Sequence, residues 1–396
     1  MPIDPQEFAD LPAVDVHCHP FLNRGALDAE TFTNVASFGG GSQAYMEQGG
    51  VAFTDDIRHE LQGLKRDTLY FRRMVRDLAA YFGVAPTLDA VLEARNAAVA
   101  EGYSDYVRDL YADANLTTLV MDFGYPVPNL DVAQVSAELP VEVVPVYRIE
   151  PLIVELLRAD IGWDEFERRY IDTLADALAS GAFRGLKTVI AYRTGLDISP
   201  LSRTRDQGYQ ALDAIRRGLG GGSMKKLRDH LVCRALELSM EYDRPMQIHT
   251  GMGDFEVNLP LCRPSFLMDL LRFPTFRACR VILVHTGYPY HGEAAYMANV
   301  LPRVYCDISE GTPFAGHAAR RIISEVLEMA PPSKVLYGSD GFGVPEINYT
   351  SAKLGREALA GALDDIVAAG MLDRADVRAI AGGILGANAR RIYRLD

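Results

Sequence analysis

Eight times along the chain a short apolar, β-branched run ends in a polar residue or glycine, and a stretch with helical period usually follows. The runs are Ala13–His17, Thr117–Asp122, Val141–Tyr147, Gly185–Ile190, Pro245–His249, Arg280–His285, Val304–Ile308 and Lys334–Gly338. Helical periodicity is readable over Asp164–Ala179, Met224–Tyr242, Glu293–Leu301, Ala315–Met329 and Pro345–Ala369. Alternation of this kind calls for parallel strands joined by crossover helices, and eight units favour a closed barrel over an open doubly wound sheet. No Gly-rich dinucleotide fingerprint follows the first run, which argues the same way. The expected fold is therefore α/β, a (β/α)8 TIM barrel spanning residues 1–396 as one domain.

Two stretches exceed the minimal repeat. Residues 24–115 form an insertion after the first strand that reads as mainly helical, over Asp55–Phe82, Leu88–Glu101 and Ser104–Ala114. Because βα loops build the active face of a barrel, this insertion is expected to cap that face. Arg193–Ser223, with Gly218, Gly220, Gly221 and Gly222, reads as a mobile loop near the substrate. Two terminal helices, Asp373–Ala381 and Gly386–Tyr393, are expected to close the barrel floor or side.

Composition excludes several function classes. The chain is 48% hydrophobic and 23% charged, enough apolar side chain for a large core and too much for disorder. A formal charge of −13 with scattered basic residues argues against nucleic-acid binding. The polar, acidic start MPIDPQEFAD and the absence of a long apolar run point to a cytoplasmic protein without a membrane partner. Five cysteines without a CxxC pair read as reduced, buried thiols.

The chemistry-bearing residues cluster at the ends of the apolar runs. His17 and His19 close the first (VDVHCHP), and strand alternation sends both imidazoles to one side, as a metal half-site or as two polar strand-end residues. His249 ends the fifth run (PMQIHTG), His285 the sixth (VILVHTG), and Asp340 follows the eighth (VLYGSDG). Each alone reads as a satisfied core or loop residue. In a barrel, however, the C-terminal strand ends converge on one rim, so four histidines and an aspartate would surround one point. Imidazole and carboxylate ligands without thiolates suit a divalent metal with open coordination positions, Zn²⁺ foremost, with Mn²⁺ or Fe²⁺ as alternatives. Lys187 sits in the fourth run (FRGLKTVIAYR), where a lysine is costly unless it is paired to a carboxylate or converted by CO₂ to a metal-bridging carbamate.

VDVHCHP, GLK, QIHTG, VHTG and YGSDG, in this order, resemble the amidohydrolase superfamily of metal-dependent (β/α)8 hydrolases, specifically its amidohydrolase-2 branch. The runs EAAYMANVLPRVYCDIS and YGSDGFGVPEINYTSAKLGREAL are similar to the amidohydrolase domain fused to a glutamine-synthetase-like domain in some fungal and plant proteins. The resemblance implies that His17 and His19 bind a more buried metal, carbamylated Lys187 bridges, and His249 and His285 bind a second ion. Asp340 would ligate and shuttle protons, which makes Asp340 and His285 the expected catalytic residues. It further implies cleavage of a C–N bond in a small amide, including γ-glutamyl amides. Members with one metal include decarboxylases of small aromatic or unsaturated acids, which keeps that reaction as the alternative. A third reading is a barrel retained as a binding scaffold.

Four residues are expected to bind substrate: Tyr192 and Arg193 beyond the Lys187 strand, Tyr288 after the sixth run, and Glu346 after the eighth. Arg193 is either a carboxylate clamp or a solvated surface residue. Glu346 either binds substrate or pairs with Arg356; His291 could line the mouth. His59, His230 and His317 read as structural. A small-molecule substrate is expected, and a homo-oligomer is compatible with the resemblance.

Overall fold

The computed structural model describes residues 2–38 and 42–395. Its centre is a sheet of eight parallel strands in sequence order, β1 (Ala13–Cys18), β2 (Leu116–Asp122), β3 (Glu142–Arg148), β4 (Leu186–Thr188), β5 (Met246–His249), β6 (Val281–Val284), β7 (Val304–Asp307) and β8 (Val335–Leu336). Backbone bonds between β1 and the segment after β8 close the ring: Val16 N to Tyr337 O at 3.0 Å, Asp340 N to His17 O at 2.8 Å, and His19 N to Gly341 O at 2.7 Å. The fold is a (β/α)8 barrel, as the alternation requires.

Side chains on these strands sort by period two. Val14, Val16, Val120, Val144, Val146, Ile282, Val284, Tyr305 and Leu336 fill the interior, joined by Ala389, Ile392 and Tyr393 from the last helix, Asn388–Tyr393. That helix plugs the barrel from its N-terminal end. Outward-facing residues meet amphipathic helices; Phe166, Tyr170, Leu174 and Leu178 of Trp163–Ala179 are buried at a spacing of four. Laterally paired residues share a face, and the register Arg148–Lys187–Gln247–Ile282–Tyr305 runs one inward row across β3 to β7.

The two longest helices of the insertion pack on the side of the barrel. Leu69–Phe82 packs on the helix Pro345–Ala368, and Leu88–Asp113 packs on that helix and on β2. The reason is their apolar face: Tyr70, Phe71, Met74, Val75 and Leu78 are buried in that contact layer. Arg95 fixes it with an ion pair to Glu346 at 2.8 Å, both fully buried. Among the described residues of this insertion, Phe38 lines the cavity at the mouth, and Tyr45 packs edge-on against Phe255, between the cavity-lining Asp254 and Glu256.

Arg193–Ser223 is likewise folded. It contains the helix Arg205–Arg216, which packs on Ser223–Glu241, and the glycines form the exposed turn between them, with positive φ at Gly218, Gly221 and Gly222. The glycine cluster thus serves helix termination. Among the described residues, no helix is long and apolar enough to cross a membrane. All five cysteines are buried free thiols.

Candidate metal centre

A cavity of about 430 Å³ opens at the C-terminal end of the strands and is lined by His17, His19, Lys187, His249, His285 and Asp340, drawn from the ends of four strands (β1, β4, β5 and β6) and the loop after β8. Asp340 Oδ1 is the focus. It lies 3.4 Å from His17 Nε2, 3.4 Å from His19 Nε2 and 3.9 Å from His285 Nδ1. Ligand atoms about 2.1 Å from a tetrahedral ion are ~3.4 Å from one another, so the first two separations are those of neighbouring ligands. His17, His285 and Asp340 form a group able to hold one ion. Lys187 Nζ stands 3.2 Å from His17 Nε2, and the His249 and His285 rings are 4.3 Å apart.

Electrostatics fit a cation in this position. Burial, then the Lys187 charge, lowers His17 to about 4. Burial likewise holds His249 and His285 well below the ordinary histidine value, so each ring is neutral and keeps one unprotonated nitrogen; His249 Nε2 lies 2.9 Å from Met252 O, which leaves Nδ1 as its acceptor nitrogen. Burial would raise Asp340, but the His285, His17 and His19 imidazoles outweigh it and keep the carboxyl well below its usual range. Asp340 Oδ1 is buried without a hydrogen-bond partner among the described residues. A buried carboxylate oxygen without a hydrogen bond is costly, and a divalent ion at this point would satisfy it.

The strand ends do not deliver these residues by alternation alone. Val284 faces the interior, so His285 would point outward if β6 continued; its φ of +74° breaks the alternation and turns the imidazole to the mouth. Asp340 at φ +56° and Glu310 at φ +53° are turned in the same way. Gly251, after His249, is required because a Cβ there would lie 2.4 Å from Gly287 C and Tyr288 O.

Supporting residues absent from the sequence-based expectations hold the centre. Gln247 Oε1 accepts from His17 Nδ1 at 2.7 Å, which leaves Nε2 to face Asp340. Its Nε2 donates to Val16 O and Tyr393 OH, each at 2.7 Å, tying the imidazole to the barrel plug. Asp15 accepts from Ser339 N at 2.9 Å and Asn348 Nδ2 at 3.0 Å, locking β1 to the loop that carries Asp340. Asp307 Oδ1 accepts from His285 N at 2.8 Å, and burial lifts its carboxyl to about 7. Glu310 Oε2, 3.3 Å from His285 Nδ1, is buried without a hydrogen-bond partner among the described residues. Arg148 also lines the cavity, paired with Asp122. Asp122, Arg148 and Asp307 each end an apolar run, the same signal that marked His249 and His285.

Of the four expected substrate contacts, Tyr192 and Arg193 line the cavity. Glu346 and Tyr288 do not. Glu346 is buried against Arg95 and Tyr106, whose hydroxyl donates to it at 2.9 Å, because the insertion supplies a nearer cation than Arg356. Arg356 instead donates to Phe8 O at 2.6 Å and to Ala114 O at 2.9 Å. Tyr288 stacks on His291, which pairs with Glu325 away from the mouth. His230 is held by Ser202 O at 2.9 Å.

A family model described as Amidohydrolase matches residues 153–395, well over half the chain. The chain belongs to the amidohydrolase family. Among curated proteins it is 33% identical over 248 residues to Protein fluG of Emericella nidulans, which covers 59% of this chain and 28% of that protein. The amidohydrolase chain thus spans little more than a quarter of that relative's length. Among solved structures, a Lactobacillus casei protein assigned to the metal-dependent hydrolases superposes over 100% of this chain and 98% of its own, with a TM-score of 0.83 and 23% identity. Glucuronate isomerase of Caulobacter crescentus shares the fold at a TM-score of 0.64 and 17% identity, covering 98% of this chain and 92% of its own. Membership in the family implies a divalent metal, and the His17, His285 and Asp340 group is suited to hold it.

Proposed function

We propose that this amidohydrolase cleaves a C–N bond in a small amide, with His17, His19, His249, His285 and Asp340 holding a divalent metal, Zn²⁺ foremost, and Lys187 completing the site. The observation that carries the reading is the convergence of imidazole nitrogens on the unpartnered Asp340 Oδ1, at 3.4, 3.4 and 3.9 Å. When bound, the ion polarises the scissile carbonyl and lowers the pKa of water. Asp340, kept ionised by its imidazole neighbours, accepts the proton of the attacking water and delivers it to the leaving nitrogen. Burial brings Lys187 down to about 8, so a free amine is accessible near neutral pH, the form that adds to CO₂ to give a carbamate and a proton. The small cavity limits the substrate to a small molecule, and a cytoplasmic setting without nucleic-acid or membrane partners belongs to this reading.

One feature favours a second reading. Three imidazole nitrogens around Asp340 suffice for a single ion without Lys187, the arrangement a mononuclear decarboxylase would use. Metal content per chain, measured with the carbamylation state of Lys187 and paired with assays for released amine and released CO₂, separates the two. Two ions, a carbamate and amine release support the hydrolase; one ion, a bare lysine and CO₂ release refute it. Lys187→Ala is expected to lose metal and activity, with rescue by short carboxylic acids.

A further inference from the structure

The cavity has two chemically distinct walls. With eight strands in sequence order, the rim of β3 stands opposite that of β7. Glu310 after β7 puts a carboxylate on that opposite side, and Asp254 and Glu256 add acidic groups from the loop after β5, midway between the two. Arg148, the last residue of β3, stands on the other side, and its position is elaborately prepared. Its Nε donates to Asp122 Oδ1 at 3.1 Å and Oδ2 at 2.8 Å, and Nη2 donates to Oδ2 at 2.5 Å. Asp122 is itself fully buried and accepts from Gly124 N at 2.9 Å. A Cβ on Gly124 would lie 2.3 Å from Arg148 Cβ and Cδ, so only glycine lets the side chain cross there.

Two positions, Asp122 and Gly124, therefore serve one guanidinium, whose Nη1 makes no hydrogen bond to the described residues while the side chain lines the cavity. A guanidinium has no lone pair and cannot ligate a metal. Asp122 offsets much of its charge and fixes its plane, and the Nη1 edge stays open to a further anion. We infer that Arg148 recognises a free carboxylate on the substrate, so that the molecule cleaved is a small amide that also carries a carboxylate. The amide half of this statement rests on the proposed hydrolase function; the carboxylate half does not. Arg193 is the weaker candidate for this role, being exposed, with no hydrogen bond or ion pair to its side chain among the described residues. A dianionic phosphate is disfavoured, because Asp122 already neutralises much of the guanidinium and the facing wall is acidic.

The test compares N-acetylglycine with N-acetylglycinamide, which differ only in the carboxylate, by ligand-observed NMR titration of the full chain with and without its divalent ion. Metal-free protein excludes direct ligation of the carboxylate to an ion. The wild type is expected to prefer the acid by about 30-fold to 100-fold, the range of a charge-assisted bond to a preorganised guanidinium. Arg148→Met should bring the ratio near one. Should it fail to fold because Asp122 is left unpaired, the double variant Asp122→Asn/Arg148→Gln substitutes a neutral hydrogen-bonded pair and should give the same loss. A merely structural arginine would weaken both probes equally. An unchanged ratio in the variants, equal binding of the two probes to wild type, or failure of both to bind overturns the assignment. If the ratio behaves as expected and no amide is hydrolysed, the hydrolase reading fails and the role of Arg148 stands.

Discussion

Gln247→Leu is the sharpest test of how the barrel holds its candidate metal centre, because Gln247 lies behind His17 rather than in the cavity lining. The substitution keeps most of the volume and removes three buried hydrogen bonds, each at 2.7 Å, to His17 Nδ1, Val16 O and Tyr393 OH. At an ordinary net contribution of ~1 kcal/mol each the cost is about 3 kcal/mol, rising to about 6 kcal/mol if the orphaned groups stay dry. For a chain of 396 residues that is a fall in Tm of roughly 4 to 7 °C. The second effect is on metal. Without its acceptor, the Nδ1 proton no longer fixes the tautomer that turns Nε2 to Asp340, and affinity should fall about 10-fold to 100-fold. Thermal unfolding of metal-free protein reads the first, and competition against a chelator of known affinity reads the second. Unchanged stability together with unchanged affinity would refute the claim that Gln247 links the plug to the metal site.

Two further outcomes follow from burial and charge. Because His17 lies at about 4 and His249 and His285 also lie below their ordinary value, proton competition for the imidazoles is confined to acid pH. Lys187, at about 8, loses its free amine as pH falls, so at a fixed CO₂ pressure metal affinity between pH 8 and 6 should weaken with a slope approaching two protons if a carbamate ligates, one from the ammonium and one released on addition of CO₂. A three-proton slope setting in near pH 6.5, measured by chelator competition, would show ordinary histidines instead. Arg95→Leu leaves Glu346 buried and unpaired and should destabilise the fold by about 3–5 kcal/mol in urea, with kcat of the folded fraction unchanged because the pair lies outside the cavity. A comparable fall in kcat would place Glu346 in the reaction after all.

The barrel was legible because its strands are continuous apolar runs, and all eight appear with ends shifted by a few residues. The candidate ligands were legible where chemistry coincided with topology: a histidine or aspartate after such a run lands on the rim. The same signal stood at Asp122, Arg148 and Asp307, whose residue types suggest ion pairs before they suggest a site, and only the distance from Arg148 to Asp122 and the space left by Gly124 reveal a guanidinium held for use. Gln247 reads as one polar residue within a strand; its role needs the plug helix, which no local pattern places under His17.

What the sequence could not encode locally is where the chain turns against its own period. Four of the eight non-glycine residues with positive φ among the described residues are His285, Thr286, Glu310 and Asp340. Glycine would adopt these angles without steric penalty, and a non-glycine residue there costs about 1 kcal/mol or more. Extrapolating the strands by period two points His285 away from the mouth and leaves Glu310 unassigned, which is why Glu310 escaped notice although its buried carboxyl stands 3.3 Å from His285. The fold tolerates the strain because these backbones are held from behind, His285 and Thr286 by Asp307 and the Asp340 loop by Asp15. Asp307 and Asp15, two buried carboxylates outside the cavity lining, are thus the groups that hold the left-handed turns, and the imidazole and carboxylate geometry at the mouth depends on them as much as on the ligands themselves.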